Sequence, residues 1–293
     1  MRILCVDVGG TDIKYAVLDQ ELNFHEKGKV ATPTTNFSDF ENILVALYQK
    51  YDVEGLALSM PGIIDSDSGY LFTGGAIPYN YRVNIFEALA KHGITNITVE
   101  NDAKAAALAE ARYGALKEVK DGVVVILGTG IGGGIIMDGK LRKGSHYSAG
   151  EFSPIGVKSG EKWQDWTTVA STTALVYKIC GELQLPKSEW NGHTVFKLIK
   201  EHNAVALRIF EKYCYQIAEQ LMNFQLILDP TLIAIGGGIS NQDILIEEIN
   251  KQIDKVFEFH VPAFPKPKIV VCHFRSDANL IGALSCYLDK YTK

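Results

Sequence analysis

The sequence predicts an α/β protein of two lobes, each built from a sheet covered by helices. Short apolar strands alternate with helical stretches along the whole chain, which excludes an all-α and an all-β fold. A strand, a glycine turn and a second strand occur twice, within residues 3–18 and again within residues 123–137. The length of 293 residues exceeds that of a typical single core and favours two lobes with a cleft between them.

The hydrophobic patterns place the elements in order along the chain. In the first lobe we expect strands at residues 3–8, 13–18, 55–59 and 97–99, and helices at residues 39–51 and 103–113. In the second lobe we expect strands at residues 123–127, 132–137 and 232–235, and a long helix at residues 204–228. Because no low-complexity linker separates them, the boundary is placed near Gly114, with residues 1–114 in the first lobe and residues 115–276 in the second.

Composition and charge exclude several classes of function. A hydrophobic fraction of 47% is ordinary for a globular enzyme, and a net charge of −5 disfavours nucleic acid as a partner. No apolar run reaches the roughly 18 residues that a membrane span requires. The amino-terminal residues lack a signal-peptide pattern, so a cytoplasmic protein is expected. The five scattered cysteines contain no C-x-x-C pair, which argues against a disulfide framework and a zinc knuckle.

The end of the strand at residues 97–99 carries the strongest chemical signal. Asn101 and Asp102 stand where this strand gives way to an alanine-rich helix. A helix N-terminus stabilises an ionised carboxylate, so we expect Asp102 to accept a proton from a substrate hydroxyl as the catalytic base. The alternative is an N-cap pair, a position that these residue types fill routinely.

Two glycine-rich turns are candidates for bringing backbone N–H groups close to a phosphate. The first contains Asp7, Gly9, Gly10 and Thr11, and the second contains Gly128, Thr129, Gly130 and Gly132. An acidic residue in an apolar strand needs a partner, and for Asp7 a hydrated Mg²⁺ that bridges ATP phosphates is a natural one. Neither turn matches a P-loop or a Rossmann motif. The alternative for the first turn is a tight hairpin with positive φ angles.

A third glycine cluster includes Gly237 and Gly238. It follows an apolar strand and precedes a helical stretch that Ser240 or Asn241 is placed to cap, so it can accept an adenosine or its phosphates. The alternative is a simple turn from strand to helix. Together with the carboxylate, the three glycine clusters predict a nucleotide-dependent phosphotransferase. Glu151 is a candidate acceptor of hydrogen bonds from sugar hydroxyls, and a solvated loop glutamate is the alternative.

These motifs, in this order, resemble those of the ROK family of sugar kinases, which has the actin-like, ribonuclease H-like ATPase fold. The matching segments are residues 7–11 (DVGGT), 59–62 (SMPG), 100–103 (ENDA), 128–133 (GTGIGG), 149–151 (AGE), 170–172 (AST) and 236–238 (GGG). The resemblance implies two lobes with a central cleft for Mg-ATP and a sugar, and a homodimer or larger homo-oligomer. It also implies a C-terminal helix within residues 277–293 that completes the first lobe.

The resemblance further implies roles for single residues. Asp102 would be the base that activates a sugar hydroxyl, and Asn101, Asp102 and Glu151 would hold sugar hydroxyls. The nucleotide would lie near Gly10, Thr11, Thr129 and Gly237. The first lobe would serve the sugar and the phosphates, and the second lobe would serve nucleotide binding and oligomerisation.

Three departures from the family pattern bear on the substrate. Residues 152–169 contain no cysteine and no histidine, although the family's zinc motif falls there, so we expect no structural zinc. Pro154 stands where glucose-specific members carry a histidine that faces the anomeric hydroxyl. Thr167 stands where such members carry a glutamate near the same hydroxyl, so both anomeric contacts are absent together.

A site without these partners relaxes the demand for a free anomeric hydroxyl. Our hypothesis is a β-glucoside kinase that phosphorylates O6 of the non-reducing glucose in a disaccharide such as cellobiose or gentiobiose. Residues 74–77, with Gly75, resemble the corresponding segment of such kinases. Tyr79 and Tyr81 nearby are placed either to pack on a second sugar ring or to fill an aromatic core.

Other functions remain as alternatives. Within the family these are glucokinase, fructokinase and N-acetylmannosamine kinase. A non-catalytic sugar-sensing protein is the alternative of another class, since ROK relatives include transcriptional repressors. Those repressors carry an N-terminal helix-turn-helix domain, whereas the first strand here is expected to begin at Ile3, which disfavours that alternative.

Overall fold

The computed structural model of the protein describes residues 1–258 and 263–292. The predicted α/β fold class is confirmed, and contacts divide the chain into two units. Unit 1 comprises Met1–Tyr113, Lys143–Ala149 and Asp277–Lys293, and unit 2 comprises Gly114–Arg142 and Gly150–Ser276. The lobe bounds and lobe roles expected from the sequence stay predictions.

Unit 1 is built on a five-stranded sheet. In chain order the strands of unit 1 are β1 (Arg2–Val8), β2 (Asp12–Asp19), β3 (Phe24–Ala31), β4 (Gly55–Met60), β5 (Ile64–Asp65), β6 (Tyr70–Leu71), β7 (Val83–Asn84) and β8 (Ile97–Asn101). The large sheet has the order β3-β2-β1-β4-β8, in which β1 to β3 are antiparallel and β1, β4 and β8 run parallel. A small sheet has the order β5-β6-β7.

Helices bury both faces of β1. The helices of unit 1 are α1 (Phe37–Lys50), α2 (Ile85–Ala90), α3 (Asp102–Tyr113) and the carboxyl-terminal helix (Ala278–Tyr291). Successive strand side chains point to opposite faces, so Ile3 and Cys5 pack with the carboxyl-terminal helix. Leu4 and Val6 pack with α1 on the other face. The carboxyl-terminal helix therefore covers one face of this sheet.

Unit 2 has the same sheet topology. In chain order its strands are β9 (Gly122–Leu127), β10 (Ile131–Met137), β11 (Lys140–Leu141), β12 (Gly156–Ser159), β13 (Lys162–Asp165), β14 (Leu232–Gly236) and β15 (Ile269–Val271). The sheet order is β11-β10-β9-β14-β15, with an antiparallel pair on each side of β10 and parallel pairing of β9, β14 and β15. The repeat of strand, glycine turn and strand thus begins the same five-strand order in each unit.

The helices of unit 2 pack against this sheet or against one another. They are α4 (Trp166–Ala170), α5 (Thr172–Glu182), α6 (Gly192–Lys200), α7 (Ala204–Leu228) and α8 (Asp243–Phe257). Asn203 caps α7 by accepting hydrogen bonds from the backbone N–H groups of Val205 and Ala206, and Asp229 ends it in a left-handed conformation. Within the described part of the chain, none of the helices is both long and apolar enough to cross a membrane.

Some local features differ from the sequence prediction, which gave none of the short strands β5–β7, β11–β13 and β15. Strand β3 was not predicted, because most of its residues are exposed and it therefore lacks an alternating apolar pattern. The expected cap at Ser240 or Asn241 is wrong, since α8 begins at Asp243 after Gln242. The hydroxyl of Ser240 instead donates a hydrogen bond to the carbonyl oxygen of Gly237 at 2.9 Å.

Gly282 provides a test of the packing in unit 1. A Cβ at this position of the carboxyl-terminal helix would lie 1.8 Å from the carbonyl oxygen of Ala105 in α3. We expect Gly282→Ala to lower the free energy of unfolding by about 1–3 kcal/mol, as overpacking does in well-packed cores. The measurement is denaturant unfolding.

Gly192→Ala is the matched control, because Gly192 is also helical and a Cβ there would meet no atom within 4 Å. Alanine has the higher helix propensity, so the control should keep or slightly raise stability. Equal stability of the two variants would contradict the close packing of these helices.

Candidate active site

The junction of β8 and α3 holds the candidate base. The side-chain oxygen of Asn101 accepts a hydrogen bond from Lys104 N at 3.1 Å, and its Nδ2 donates to the carbonyl oxygen of Gly62 at 3.0 Å. Asn101 therefore caps α3, as the alternative interpretation expected. Asp102 is the first residue of the helix, is half-buried, and accepts a hydrogen bond on Oδ1 from Ala103 N at 2.8 Å.

The structure places Gly75 and Gly10 in the same region of unit 1. Gly75 has a φ of +54°, and a Cβ there would lie 2.9 Å from the backbone N of Gly62, whose carbonyl Asn101 holds. A Cβ on Gly10 would lie 3.3 Å from the Cβ of Ala76. Residues 62, 75–76 and 10 thus form a series of close contacts that begins at Asn101.

Asp7 lies on the face of β1 that the carboxyl-terminal helix covers. Its Oδ1 accepts hydrogen bonds from Asn279 Nδ2 at 2.8 Å and from the Ser59 hydroxyl at 3.3 Å, and Lys14 Nζ lies 3.8 Å from Oδ2. Burial raises the pKa of Asp7, and the Asn279 amide and the Lys14 charge oppose this effect. Asp7 is thus a buried carboxylate whose oxygens face an amide, a hydroxyl and an ammonium group.

This environment fits magnesium held indirectly. Mg²⁺ keeps most of its water ligands and commonly uses one or two carboxylates together with substrate phosphates. Asp7 supplies one such carboxylate at the end of β1, beside the exposed residues Gly10 and Thr11. A cage of protein ligands is not required for this mode of binding.

The turn after β1 is glycine-rich for steric reasons. The alternative of positive φ angles at Gly9 and Gly10 is wrong, since neither residue is among those with positive φ. A Cβ on Gly9 would lie 2.9 Å from the carbonyl oxygen of Asp12, whose oxygen Gly9 N binds at 3.1 Å. The Thr32 hydroxyl donates to the carbonyl oxygen of Gly9 at 2.6 Å and fixes the turn from the other side.

In unit 2 the structure brings two of the glycine clusters together. Gly237 has a φ of +95°, and a Cβ there would lie only 2.2 Å from the carbonyl oxygen of Leu127. Gly128 and Thr129 follow Leu127 directly, and Thr129 and Gly130 are exposed. Gly238 is exposed as well, and a Cβ there would meet no atom within 4 Å. The two clusters form one surface of unit 2.

A cavity of about 360 Å³ adjoins this surface. It is lined by Leu127, Gly128, Thr129, Thr172, Thr173, Val176, Tyr177, Trp190 and Gly238. One end combines the glycine turn with the N-terminus of α5, and such helix ends favour phosphate. The other end is aromatic, where Tyr177 and Trp190 meet edge to face with ring centroids 5.0 Å apart. An anion-binding end beside an aromatic end suits a nucleoside phosphate.

The sequence analysis missed the residues of α5 and the aromatic wall. The Ser171 hydroxyl caps α5 through Ala174 N, and this Ser-Thr signal could have identified the helix start. Nothing in the sequence pairs Tyr177 with Trp190, because the loop and short turn after α5 bring them together. Lys187 Nζ lies 3.2 Å from the centroid of the Trp190 ring and adds a cation to this wall.

Glu151 is fixed by contacts of its neighbours with β10. Gly150 has a φ of +85°, and a Cβ there would lie 2.8 Å from the carbonyl oxygen of Gly133. A Cβ on Gly133 would in turn lie 2.3 Å from the Phe152 ring. Part of the glycine-rich run therefore serves close packing around Glu151 and not approach to a phosphate.

Pro154 and Thr167, the two departures that concern the anomeric hydroxyl, lie near each other in unit 2. Thr167 N donates a hydrogen bond to the carbonyl oxygen of Ser153 at 3.2 Å, and Pro154 follows Ser153 in the chain. A Cβ on Gly130 would contact both Ser153 Oγ at 3.2 Å and Thr167 Oγ1 at 3.5 Å. Pro154 and Thr167 thus occupy one region beside the glycine turn, and Pro154 is the third residue after Glu151 in the chain.

The tyrosines of the candidate sugar segment differ in environment. Tyr79 is half-buried and packs against the core, since its hydroxyl donates to the carbonyl oxygen of Pro33 at 2.7 Å and its ring centroid lies 6.2 Å from that of Phe40. Tyr81 is 54% exposed, with the Arg82 guanidinium over its ring. Tyr81 is therefore the more exposed of the two tyrosines.

Comparison with known proteins identifies the family. The model of the ROK family matches residues 3–290. The chain belongs to the ROK family. A β-glucoside kinase of Listeria monocytogenes is 30% identical over 307 aligned positions, which cover 99% of this chain and 98% of that protein. An N-acetyl-D-glucosamine kinase of Vibrio cholerae is 29% identical, with 94% and 96% of the two chains covered.

A solved structure supports the same assignment. A ROK family protein of Streptococcus pneumoniae in complex with sucrose has a TM-score of 0.91 and 30% identity, with 100% of this chain and 99% of that chain covered. The predictions of a ROK family member, an actin-like fold and an ATP-dependent carbohydrate kinase are confirmed. The acceptor sugar is not decided, because kinases for different sugars are similarly distant from this chain.

Residues 152–169, where the family's zinc motif falls, form regular secondary structure in this chain. The segment forms the hairpin of β12 and β13 and then α4, and Trp163 of the hairpin is 73% exposed. The expectation of no structural zinc in this segment stays a prediction. The roles expected for the single site residues also stay predictions at this point.

Asn101 provides a test of the β8–α3 junction. Asn101→Ala removes the cap of α3 and leaves the carbonyl of the half-buried residue Gly62 without its donor. We expect a loss of about 1–3 kcal/mol in the free energy of unfolding, as the sum of a lost cap and a half-buried acceptor that loses its donor. Denaturant unfolding measures this loss.

Asn36→Ala is the control, because Asn36 caps α1 from an exposed position without a buried second partner. We expect this variant to lose only about 1 kcal/mol. If both variants lost the same stability, the bond from Asn101 to Gly62 would contribute nothing.

Proposed function

We propose that this ROK family kinase transfers the γ-phosphoryl group of ATP to O6 of the non-reducing glucose of a β-glucoside, such as cellobiose or gentiobiose. The adjacency of Pro154 and Thr167 carries the acceptor part of this proposal. Neither side chain carries a charge or an imidazole for a free anomeric hydroxyl, so a substituted anomeric oxygen is accepted there.

Asp102 is the proposed base. The first turn of α3 offers a positive field that favours its ionised form, and its half-buried position leaves it accessible to an acceptor. The carboxylate would accept the proton of the acceptor hydroxyl as the oxygen attacks the γ-phosphorus. Asn101, Gly75 and Glu151 are the proposed contacts of the sugar.

The proposed donor site lies at the cavity of unit 2. Backbone N–H groups of the Gly128–Gly130 turn and the N-terminus of α5 would stabilise the phosphates, and Gly237 and Gly238 would adjoin the adenosine. The adenine ring of ATP would lie against Tyr177 and Trp190. Gly9, Gly10, Thr11 and Gly132 complete the proposed phosphate contacts.

Asp7 is the residue proposed to hold Mg²⁺ through water and the phosphates. When bound, the ion supplies positive charge that neutralises the phosphoryl oxygens. Asn279 and Ser59 orient the carboxylate for this role by donating to the same oxygen, Oδ1. This arrangement leaves Oδ2 beside Lys14, which is the only cation of the described chain that contacts the carboxyl group.

Two of the relatives support the acceptor class. One is named a β-glucoside kinase, and another was solved with sucrose, a disaccharide in which both anomeric carbons are substituted. The N-acetyl-D-glucosamine kinase among the relatives makes that sugar the second candidate acceptor. The homodimer and the cytoplasmic location expected from the sequence stay predictions.

An acceptor panel tests the proposed function. Coupled ADP release with Mg-ATP would be measured for cellobiose, gentiobiose, sucrose, glucose, fructose, N-acetylglucosamine and N-acetylmannosamine. We expect the highest kcat/KM for a β-glucoside, because the region of Pro154 and Thr167 offers neither a carboxylate nor an imidazole to a free anomeric hydroxyl. A higher value for any monosaccharide would refute the β-glucoside assignment and keep the kinase.

Asp102→Asn is the control for chemistry in the same assay. It keeps the size and the helix position of the side chain but cannot accept the proton, so kcat should fall about 10²- to 10⁴-fold. Near-normal turnover would remove Asp102 from the role of base.

Trp190→Ala tests the proposed nucleotide site. Loss of the aromatic wall should raise the KM for ATP roughly two- to ten-fold, the range that corresponds to an aromatic contact of about 0.5–1.5 kcal/mol, and leave the KM for the sugar unchanged. Trp163→Ala is the matched control, because Trp163 is a more exposed tryptophan that does not line this cavity. An unchanged KM for ATP in the Trp190 variant would show that the adenine ring does not bind against this wall.

A further inference from the structure

Glu100 is a buried carboxylate directly before Asn101 and Asp102. It is 1% exposed, and its Oε1 accepts a hydrogen bond from the backbone N of Asn101 at 2.9 Å. Within the described part of the chain, its Oε2 has no hydrogen-bond partner. A buried ionised carboxylate is costly without a counter-charge, so the nearest cation decides whether Glu100 is charged.

Lys143 is that cation. Its Nζ lies 3.9 Å from Glu100 Oε2 and 3.1 Å from Oδ1 of the exposed residue Asp67. Burial lowers the pKa of Lys143, but the charges of Glu100 and Asp67 outweigh this effect and raise the pKa above its ordinary value. The ammonium group therefore stays charged at neutral pH.

Lys143 begins a segment that unit 1 holds firmly. Lys143–Ala149 belongs to unit 1, and the chain continues from it into Gly150 of unit 2. Lys104, which is 2% exposed, donates from Nζ to the carbonyl oxygen of Tyr147 at 2.9 Å. The Tyr147 ring stacks on Phe72 with centroids 6.1 Å apart. These contacts fix the backbone from which Lys143 reaches Glu100.

The other groups that face Glu100 do not replace Lys143. Lys104 of α3 is engaged with Tyr147, and Ser66 after β5 presents a neutral hydroxyl. Burial and the Glu100 charge raise the pKa of Cys286 on the carboxyl-terminal helix to about 12, so this thiol is neutral. Burial raises the pKa of Glu100 itself, and Lys143 is the strongest of the groups that oppose this effect.

We propose that Lys143 is a positioning residue for phosphoryl transfer. Its ammonium group keeps Glu100 ionised, and the ionised carboxylate holds the backbone of Asn101 so that Asp102 meets the acceptor hydroxyl. The inference rests on the base role proposed for Asp102. A charged acceptor makes the stronger hydrogen bond to Asn101 N, so loss of Lys143 loosens this junction without removing a group that touches the substrate.

The kinetic test compares Lys143→Met, Lys143→Arg and Lys140→Met. Lys140 is exposed on β11, so its replacement removes the same charge without a buried partner. We expect kcat of Lys143→Met to fall at least about ten-fold at pH about 7 with the KM for ATP unchanged. Lys143→Arg should recover most of the rate, and Lys140→Met should match the wild type.

The pH profile separates positioning from general damage. Loss of Lys143 raises the pKa of Glu100 further, so the acid limb of kcat should move to higher pH and the rate should recover partly at alkaline pH. Glu100→Gln should have a low kcat and no acid limb in its pH profile. The double variant of Glu100→Gln and Lys143→Met should have the same kcat as Glu100→Gln alone. An unshifted limb in Lys143→Met, or additive losses in the double variant, would overturn the proposal.

A second measurement does not need activity. A carboxyl group whose pKa is raised by folding contributes stability that is lost as the pH rises through the raised value. The loss of stability in Lys143→Met should therefore be larger at about pH 8 than at about pH 5. In the Glu100→Gln background this pH dependence should disappear. A loss that does not vary with pH would show that Lys143 does not control the charge of Glu100.

The two measurements separate the two proposals. A wild-type protein that phosphorylates none of the sugars offered would refute the proposed function, and the stability comparison would still decide whether Lys143 controls Glu100. An active wild type with an equally active Lys143→Met variant would refute the positioning role alone.

Discussion

Close approach of backbone segments at glycines is the constraint on which the candidate site depends. In unit 2, a Cβ on Gly237 would lie 2.2 Å from the carbonyl oxygen of Leu127, and one on Gly150 would lie 2.8 Å from that of Gly133. The first contact sets the cluster of Gly237 and Gly238 against the turn that follows Leu127. The second contact sets Glu151 beside β10. A side chain at either position would separate strands whose ends carry the chemistry.

The second determinant is a buried carboxylate at the end of β8 in unit 1. Glu100, Asn101 and Asp102 are consecutive but have different surroundings: the first is buried, the second caps α3 and holds Gly62, and the third is half-buried in the first helical turn. Backbone and side-chain hydrogen bonds fix the first two. Of the three, the third has the partly exposed position that the proposed base requires.

Sequence reasoning predicted the candidate base, the glycine clusters and seven of the ten strands in the two five-stranded sheets, because these depend on local patterns. It missed the wall of Tyr177 and Trp190 and the pair of Lys143 and Glu100, because each joins residues far apart in the chain. It also left open the role of the second glycine-rich run and of the two tyrosines near Gly75, and the structure gives the surroundings of both. Gly133 serves packing against Phe152, and Tyr79 packs half-buried against the core while Tyr81 is exposed.

The sequence by itself determined the fold class, the repeated order of strand, glycine turn and strand, and the family, since periodicity and motif order are properties of the chain. Tertiary structure alone decided which glycines are required by close packing and that Pro154 and Thr167 share one region. It also decided that Lys143 joins unit 1 while its chain neighbour Arg142 does not. The physical reason is that burial and charge pairing depend on distances between residues that no local pattern specifies.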